Sequence, residues 1–226
     1  MSAREELEAE LREIVGKGLR QDAFYPVVAP KTPEQTAQVV KAARDHRYNV
    51  LVLGNESSKP PQLSTLRENI LVILNVWLTG IEKVSPFSVR VLGGTPVSSV
   101  VRGGSEPPRK TIGGLICGMA GSDHDASLRA LWSRVRSIDV ILSTGEIQKF
   151  AGPGTVSVED PAGANLFLGS RGRLGVIAAV EMATPIPVAV LDGNDRANGR
   201  TPEAGEPLLS PKDIQTLLDP NGLFQW

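Results

Sequence analysis

Residues 25–54, YPVVAPKTPEQTAQVVKAARDHRYNVLVLG, decide how this chain folds. The stretch opens with a short apolar run, residues 25–30, that has a proline near each end. The run Asn49–Leu53 that closes it predicts a buried strand ending at Gly54. A helix over about residues 33–47 separates the two runs. Strand, helix and strand in this order indicate a parallel unit, because a parallel pair needs a crossover connection.

The helix of this unit carries a clear start signal. Thr32 is a favourable N-cap residue, and Pro33 is a favourable first helical residue because its missing N–H costs nothing there. Gln35, three residues after the cap, completes the pattern of a capping box. The sequence therefore predicts that the helix begins at Pro33.

Further apolar runs extend the pattern on the C-terminal side. They predict strands at residues 70–74, 88–92, 138–142, 146–150 and 174–183. The turn Ser143-Thr144-Gly145 joins two alternating runs, which is typical of a β-hairpin. These elements predict an α+β chain with one mixed lobe and one mainly antiparallel lobe.

The boundaries of these units follow from changes in composition. The predicted organisation is an N-terminal helix over 1–20, a first lobe over 21–90, a second lobe over 91–187, a linker over 188–210 and a closing segment over 211–226. The linker is rich in glycine and proline and poor in apolar residues, which is typical of a connecting loop.

The composition excludes several classes of protein. A formal net charge of -1 gives no basic surface for nucleic acid. No apolar run approaches the roughly 20 residues of a membrane span, and the charged N-terminus is unlike a secretory signal, so we expect a cytoplasmic protein. One cysteine, Cys117, and two histidines cannot supply a zinc site, so we expect no metal.

Three glycine-containing stretches are candidates for ligand binding. Residues 54–60, GNESSKP, follow a predicted strand, and their backbone N–H groups, with the charge of Lys59, are suited to a diphosphate; the alternative is an ordinary surface turn. Residues 111–122, TIGGLICGMAGS, offer bare backbone to a flat ligand, because side chains do not hold it off. Residues 169–177, GSRGRLGVI, form a turn that leads into a strand. Neither a G-x-G-x-x-G fingerprint nor a Walker A motif is present.

Taken in order, these stretches resemble the FAD-linked oxidase family, the flavoproteins with a vanillyl-alcohol-oxidase or PCMH-type FAD-binding domain. TIGGLICGMAG is similar to the family's T-[IV]-G-G segment and its glycine cluster. SIDVILSTGEI resembles the hairpin ahead of the final strands, and NLFLGSRGRLGVIAAVEMATPIP resembles the L-F-x-G-S-x-G-x-L-G-V-I stretch. The match spans about residues 24–187 and 211–224.

The resemblance implies a two-lobe PCMH-type fold that holds FAD noncovalently between a small mixed lobe and a mainly antiparallel lobe. It places the diphosphate at residues 54–58, the isoalloxazine and ribityl chain at 111–114 and 118–121, and the adenosine end at 175–177. The cofactor-binding residues so implied are Gly54, Asn55, Glu56, Ser57, Ser58, Thr111, Ile112, Gly113, Gly114, Gly118, Ala120, Gly121, Gly175, Val176 and Ile177.

The resemblance also implies partners. Family members carry a cap domain before the closing segment, and residues 188–210 are too few to form one, so we expect the cap to be absent. Within the family, the chain is most similar to the small FAD-binding subunits of bacterial glycolate oxidases. These work beside a larger homologous flavin subunit and an iron–sulfur subunit. The resemblance leaves open whether such partners bring the chain to a membrane.

The implied activity is flavin-dependent oxidation of a small 2-hydroxy acid, glycolate or D-lactate, by an oxidoreductase subunit that needs its partners. The sequence identifies no catalytic base. An alternative is a non-catalytic structural subunit with a degenerate flavin site that docks a catalytic homologue. Two observations support the alternative: the missing cap, and a first loop with one glycine, Gly54, where the family usually has several.

Overall fold

The chain was analysed in a computed structural model, which describes residues 2–21, 25–54, 69–100, 110–118, 131–153, 163–184, 218–219 and 222–224. These residues form four helices, α1–α4, and nine strands, β1–β9. The helices are α1 (Ala3–Val15), α2 (Pro33–Asp45), α3 (Val97–Val100) and α4 (Ile112–Gly118). Short 3₁₀ turns at Gly16–Gly18, Asn75–Trp77 and Gly163–Phe167 accompany them.

Helix α2 begins where the sequence predicts. The Thr32 hydroxyl accepts a hydrogen bond from the Gln35 N–H at 3.1 Å. The Gln35 side chain accepts from the Lys31 N–H at 2.9 Å, one residue ahead of the N-cap of a standard capping box. The helix ends at Asp45, two residues before the predicted end, because Arg47 has a φ of 60° and cannot continue a right-handed helix.

The first sheet contains the predicted parallel unit. Its strands are β1 (Leu19–Gln21), β2 (Pro26–Val28), β3 (Asn49–Leu53) and β4 (Ile70–Leu74), in the order β1-β2-β4-β3. Strand β4 pairs in parallel with β2 and with β3, while β1 is antiparallel to β2. The two strands of the predicted unit are therefore parallel to each other, with β4 inserted between them.

The second sheet is antiparallel throughout. Its strands are β5 (Ile81–Ser85), β6 (Ser88–Leu92), β7 (Val135–Ile141), β8 (Ile147–Ala151) and β9 (Val176–Ala183), in the order β5-β6-β9-β7-β8. The pairing of β7 with β8 confirms the predicted hairpin. Strands β5 and β6 belong to this second sheet, so the chain passes from the first sheet to the second between residues 74 and 81. The two sheets together confirm the predicted α+β fold class.

Helix α2 lies between the two sheets. Its Val39, Val40 and Ala43 are fully buried in a core that also contains Ile141 and Val176 of the second sheet. The hairpin turn between β7 and β8 docks on the same helix, since the Arg44 guanidinium donates to the Thr144 carbonyl at 3.0 Å. The two sheets are thus joined through a shared apolar layer.

The described part of the closing segment connects both cores. Leu218 packs in the core of the second sheet, and Phe224 packs against α2 and the first sheet. The buried Asp219 carboxylate accepts hydrogen bonds from the N–H groups of Leu223 and Phe224, at 2.8 and 3.0 Å. The Leu223 carbonyl in turn accepts from the N–H of Val50 in β3 at 2.7 Å. Residues 188–210 and the first part of the closing segment, residues 211–217, lie outside the described residues.

Within the described ranges, the helices are too short and too polar for any of them to cross a bilayer.

Candidate functional site

Residues 112–118 of the second glycine stretch form helix α4. Ile112, Leu115 and Ile116 point into the core of the second sheet and are at most 5% exposed. Gly114 and Gly118 are exposed, and residues four apart lie on one face of a helix. A methyl group built on Gly118 would meet no atom of the described residues within 4 Å. Helix α4 therefore presents a bare, open face opposite its buried one.

Main-chain hydrogen bonds fix the start of α4. The N–H of Ile112 donates to the Thr95 carbonyl at 2.9 Å, and the N–H of Gly113 donates to the Gly93 carbonyl at 2.8 Å. The Thr111 hydroxyl accepts from the Gly114 N–H at 3.1 Å. Thr111 is buried, so this cap is sheltered from water. Glycine disfavours helices, and these contacts offset that preference.

The first glycine stretch meets α4 at its start. Gly54 directly follows β3, and a methyl group built on it would lie 2.9 Å from the Thr111 hydroxyl oxygen and 4.0 Å from the Gly114 Cα. The structure therefore brings the ends of two separately predicted stretches into contact. Both contribute backbone without a side chain at this point.

The third stretch closes the other end of α4. The N–H of Arg171 donates to the Cys117 carbonyl at 2.8 Å, and the N–H of Gly169 donates to the Ile116 carbonyl at 3.3 Å. These bonds satisfy carbonyls that a helix C-terminus leaves open. A methyl group on Gly172 would lie 3.5 Å from the Cβ of Val52 in β3. All three stretches thus meet around one short helix and the end of β3.

The three predicted residues at the end of the third stretch have a different environment. Val176 and Ile177 are fully enclosed, one in each core. Gly175 has a φ of 147°, and a methyl group on it would lie 2.7 Å from the Ile141 carbonyl oxygen. These residues are covered by the rest of the protein.

Six predicted cofactor-binding residues lie outside the described part of the chain. They are Asn55, Glu56, Ser57, Ser58, Ala120 and Gly121. The described site residues are therefore Gly54, Thr111, Ile112, Gly113, Gly114, Gly118, Gly175, Val176 and Ile177.

Cys117 lies on the inner side of α4. The side chain is half-buried and in the reduced form. Burial raises the pKa of the Cys117 thiol above its usual value of 9.0, against smaller opposing effects from Ser170 and Gly172. The thiol is therefore neutral at physiological pH and is a poor nucleophile.

Asn75 is a buried polar residue that the sequence did not single out. It follows β4 at the edge of the sheet where Gly54 follows β3, and it is 5% exposed. Its Oδ1 atom accepts no hydrogen bond from the residues that the structure describes. Such an unsatisfied buried group costs about 1–3 kcal/mol. The only sequence signal is its position, a polar residue directly after five apolar ones.

The fold of this chain has counterparts among known proteins. A family model described as "FAD binding domain" matches residues 26–151. Among solved structures, alkyldihydroxyacetonephosphate synthase superposes with a TM-score of 0.61 at 15% identity, over 79% of this chain and 40% of that chain. A 4-ethylphenol oxidase from Gulosibacter chungangensis, in complex with isoeugenol, superposes with a TM-score of 0.59 at 12% identity, over 80% and 42%.

These structural likenesses establish a shared fold. The chain corresponds to about 40% of the length of the solved structures that it resembles. No curated protein sequence matches it.

Proposed function

From the premise that this chain belongs to the FAD binding domain family, whose model covers more than half of its 226 residues, we propose that it is the FAD-carrying subunit of an oxidoreductase. FAD is its cofactor. Noncovalent attachment, a 2-hydroxy-acid substrate and a need for partner subunits are the further parts of the proposal.

One observation carries the proposal: the bare face of α4 adjoins Gly54. Gly118 has no packing role among the described residues, since none of their atoms lies within 4 Å of a methyl group built on it, whereas a methyl group on Gly114 would lie 2.9 Å from the Thr111 hydroxyl oxygen. A planar ring can lie against such a surface, because no Cβ atom intervenes. The residues present therefore fit a flavin.

We assign roles to the residues by this geometry and by the family resemblance. Thr111–Gly114 and Gly118–Gly121 would line the isoalloxazine and ribityl chain, and Gly54–Ser58 would bind the diphosphate through backbone N–H groups. The assignment of Gly175–Ile177 to the adenosine end rests on the family resemblance alone, since Val176 and Ile177 are at most 2% exposed.

The chemistry comes from the cofactor, and the chain supplies its position. Bound FAD would supply a ring that accepts a hydride from the hydroxyl-bearing carbon of glycolate or D-lactate. The rigid anchoring of α4 to residues 93–95 would hold that ring in one orientation. We assign no described residue as the base, which leaves proton removal to a partner or to the undescribed part of the chain.

The cofactor site can be tested by titrating apoprotein with FAD and following flavin fluorescence. We expect Gly118→Val to lower FAD affinity by about tenfold or more, which corresponds to about 1.4 kcal/mol. The branched side chain would occupy ring volume while meeting no protein atom within 4 Å of its Cβ position. Ala9→Val, an exposed change on α1, is the matched control and should leave affinity unchanged. Equal affinity of the two variants would contradict the placement.

The need for a partner is supported by one exposed edge of the second sheet. Strand β5 lies at the end of the strand order, and Ile81, Val84 and Phe87 on its hairpin are 50%, 51% and 68% exposed. An edge strand with exposed apolar side chains is a surface suited to another protein. We propose that the larger homologous flavin subunit covers it.

Co-purification with the larger flavin and iron–sulfur subunits tests this part. Phe87→Asp should reduce recovery of the complex without lowering FAD affinity, because Phe87 is exposed and sits in the turn between β5 and β6. We expect 2-hydroxy-acid oxidation by the complex and little by the single chain. Full turnover by the single chain would contradict the need for partners.

The hairpin surface also supports a second candidate, a structural subunit that docks a catalytic homologue and has lost flavin chemistry. The two candidates differ in one measurement. A complex in which this chain binds FAD that is reduced by glycolate or D-lactate supports the first. A chain whose FAD stays oxidised while the complex turns over supports the second.

A further inference from the structure

One stretch of the chain carries most of the exposed apolar surface that the structure describes. Five large apolar side chains among the described residues are exposed, and four of them lie between residues 77 and 87. These four are Trp77, Ile81, Val84 and Phe87, at 36%, 50%, 51% and 68% exposure. Single exposed apolar residues are normal on a protein surface, whereas a group of neighbouring ones marks a contact surface for another molecule. We call this group the 77–87 surface.

Two cations lie beside the aromatic ring at one end of this surface. The Lys31 Nζ is 5.3 Å from the centroid of the Trp77 ring, and the Arg20 Cζ is 6.0 Å from it. The face of an aromatic ring attracts a cation, so Trp77 helps to hold both charged groups in place. The three residues come from different parts of the first sheet: Arg20 from β1, Lys31 from the segment before α2, and Trp77 from the turn after β4. We call them the cationic cluster.

The two cations have no carboxylate partner within the described structure. The ion pairs of the described residues include neither Arg20 nor Lys31, and both residues are exposed. Two like charges near one ring repel each other, and a carboxylate placed beside them would offset that repulsion. The cationic cluster is therefore complementary to an acidic side chain.

The cationic cluster and the apolar hairpin are parts of one surface. Trp77 and Ile81 are four residues apart, so their Cα atoms are separated by no more than about 14 Å. Strand β1, which carries Arg20, is at the edge of the first sheet in the described fold, and β5 is at the edge of the second. Tryptophan and arginine are also residue types that contribute strongly to binding at protein interfaces. The surface therefore combines an apolar part on one sheet edge with a charged part on the other.

We propose that the 77–87 surface and its cationic cluster together form the docking surface for the larger flavin subunit, and that this partner presents a carboxylate to Arg20 and Lys31. The inference rests on the proposed need for a partner and adds the chemistry of the contact. Apolar side chains of the partner cover the β5–β6 hairpin, and its acidic group meets the cations at the Trp77 end.

Two other kinds of partner fit this surface less well. The four exposed apolar side chains favour a protein over a nucleic acid, whose phosphates need a broader basic surface. A second copy of this chain is disfavoured as well. A two-fold antiparallel pairing of two β5 strands centred on Glu82 or on Lys83 would place like charges directly opposite each other, which is destabilising.

The test measures the affinity of the full chain for the larger flavin subunit by biolayer interferometry at low and high salt. Lys31→Glu should weaken binding at low salt by about tenfold or more, because attraction to the partner's carboxylate becomes repulsion. The affinity of the wild-type chain should fall as salt is raised, since salt screens exposed charges. The affinity of Lys31→Glu should stay level or rise over the same range. Lys31→Arg keeps the charge and should bind as the wild-type chain does.

Arg12→Glu is the matched control, because it reverses an exposed cation on α1. Helix α1 packs on one face of the first sheet, whereas Val27, the strand partner of Arg20, packs on the other face. This variant should keep the wild-type affinity and salt dependence. Phe87→Ser should weaken binding but keep its decline with salt, because the hairpin supplies the apolar part of the contact.

Each contrary outcome has a distinct meaning. Wild-type affinity in Lys31→Glu together with a loss in Phe87→Ser would overturn the acidic contact and leave the proposed partner in place. Equal weakening by Arg12→Glu would overturn it too, since net charge alone would then explain the effect. A wild-type chain that does not bind the larger subunit would overturn both proposals. A wild-type dimer that Lys31→Glu and Phe87→Ser both convert to monomer would contradict the proposal by making a second copy the partner.

Discussion

The glycines of this chain belong to two groups that the sequence does not distinguish. At Gly94 and Gly152, a methyl group would come within 1.7 and 2.0 Å of a carbonyl oxygen, so the fold itself forbids a side chain. At Gly118, a methyl group would meet nothing within 4 Å in the part of the chain that the structure describes. A glycine in an open helical position weakens the helix without any gain in packing. The comparison teaches that the first group serves folding, and that the second leaves space for something outside the chain.

The largest effect is expected at Gly94. Gly94→Ala should lower the free energy of unfolding by about 3 kcal/mol or more, because the new methyl group overlaps the Asn75 carbonyl and the backbone must move. Urea unfolding followed by circular dichroism measures the loss. Gly80→Ala is the control, since its methyl group meets only the flexible end of Leu92, at 3.3 Å. Equal stability of Gly94→Ala and Gly80→Ala would show that close backbone packing does not decide where this fold requires glycine.

An intermediate effect is expected at Gly172, where conformation rather than space requires glycine. Its φ is 79°, and a methyl group there would touch Val52 only at an ordinary 3.5 Å. Gly172→Ala should therefore cost about 1–2 kcal/mol, the penalty of the left-handed region for a residue with a Cβ. The same urea experiment measures it. A loss as large as that of Gly94→Ala would show that contacts, not φ, decide this position.

A smaller effect on stability, with a larger one on cofactor binding, is expected at Gly118. Gly118→Ala should change the free energy of unfolding by no more than about 0.5–1 kcal/mol, in the stabilising direction, because alanine favours a helix. Its FAD affinity should nevertheless fall, and by less than that of Gly118→Val, because a methyl group takes up less of the ring's space. Higher stability together with unchanged FAD affinity would show that Gly118 does not adjoin the bound cofactor.

The smallest effect concerns Cys117, which lies on the enclosed side of the same helix. Folding raises the pKa of this thiol, chiefly through burial, so the unfolded chain loses the proton first as pH rises. Stability linked to the thiol is complete below the unfolded pKa and declines as pH climbs through the higher folded pKa. Melting temperatures from pH 7 to 10 should therefore fall less for Cys117→Ser than for the wild-type chain. Identical slopes of melting temperature against pH for the two proteins would show that folding does not raise the pKa of the Cys117 thiol.

Two apolar strands of the first sheet were predictable from the sequence to the residue. The apolar runs 49–53 and 70–74 are β3 and β4 with the same bounds. Strand β5 was missed because its edge position leaves Glu82, Lys83 and Val84 exposed, without the alternation that marks a half-buried strand. The order of the first sheet was not predictable either, since nothing local places β4 between β2 and β3.

The site was predictable as three stretches but not as a geometry. Glycine composition marked residues 111–122, yet the helical form of α4 depends on Ile112, Leu115 and Ile116 packing into a core built from distant strands. Glycine's low helix propensity points the other way, and tertiary packing overrides it. The sequence marks Asn75 only as a polar residue after an apolar run, because burial without a hydrogen-bond partner is a property of the assembled fold.

The docking of residues 218–224 has a consequence for synthesis of the chain on the ribosome. Val50 in β3 donates its N–H to the Leu223 carbonyl, and Phe224 packs in the core around α2. Residues near the start of the chain therefore complete their packing only after residues near its end have been synthesised. Translation proceeds at about 5–20 residues per second, so that core stays incomplete for many seconds. During this interval the nascent chain exposes an apolar surface of the kind that chaperones recognise, and the lobe that emerges first is among the last to be finished.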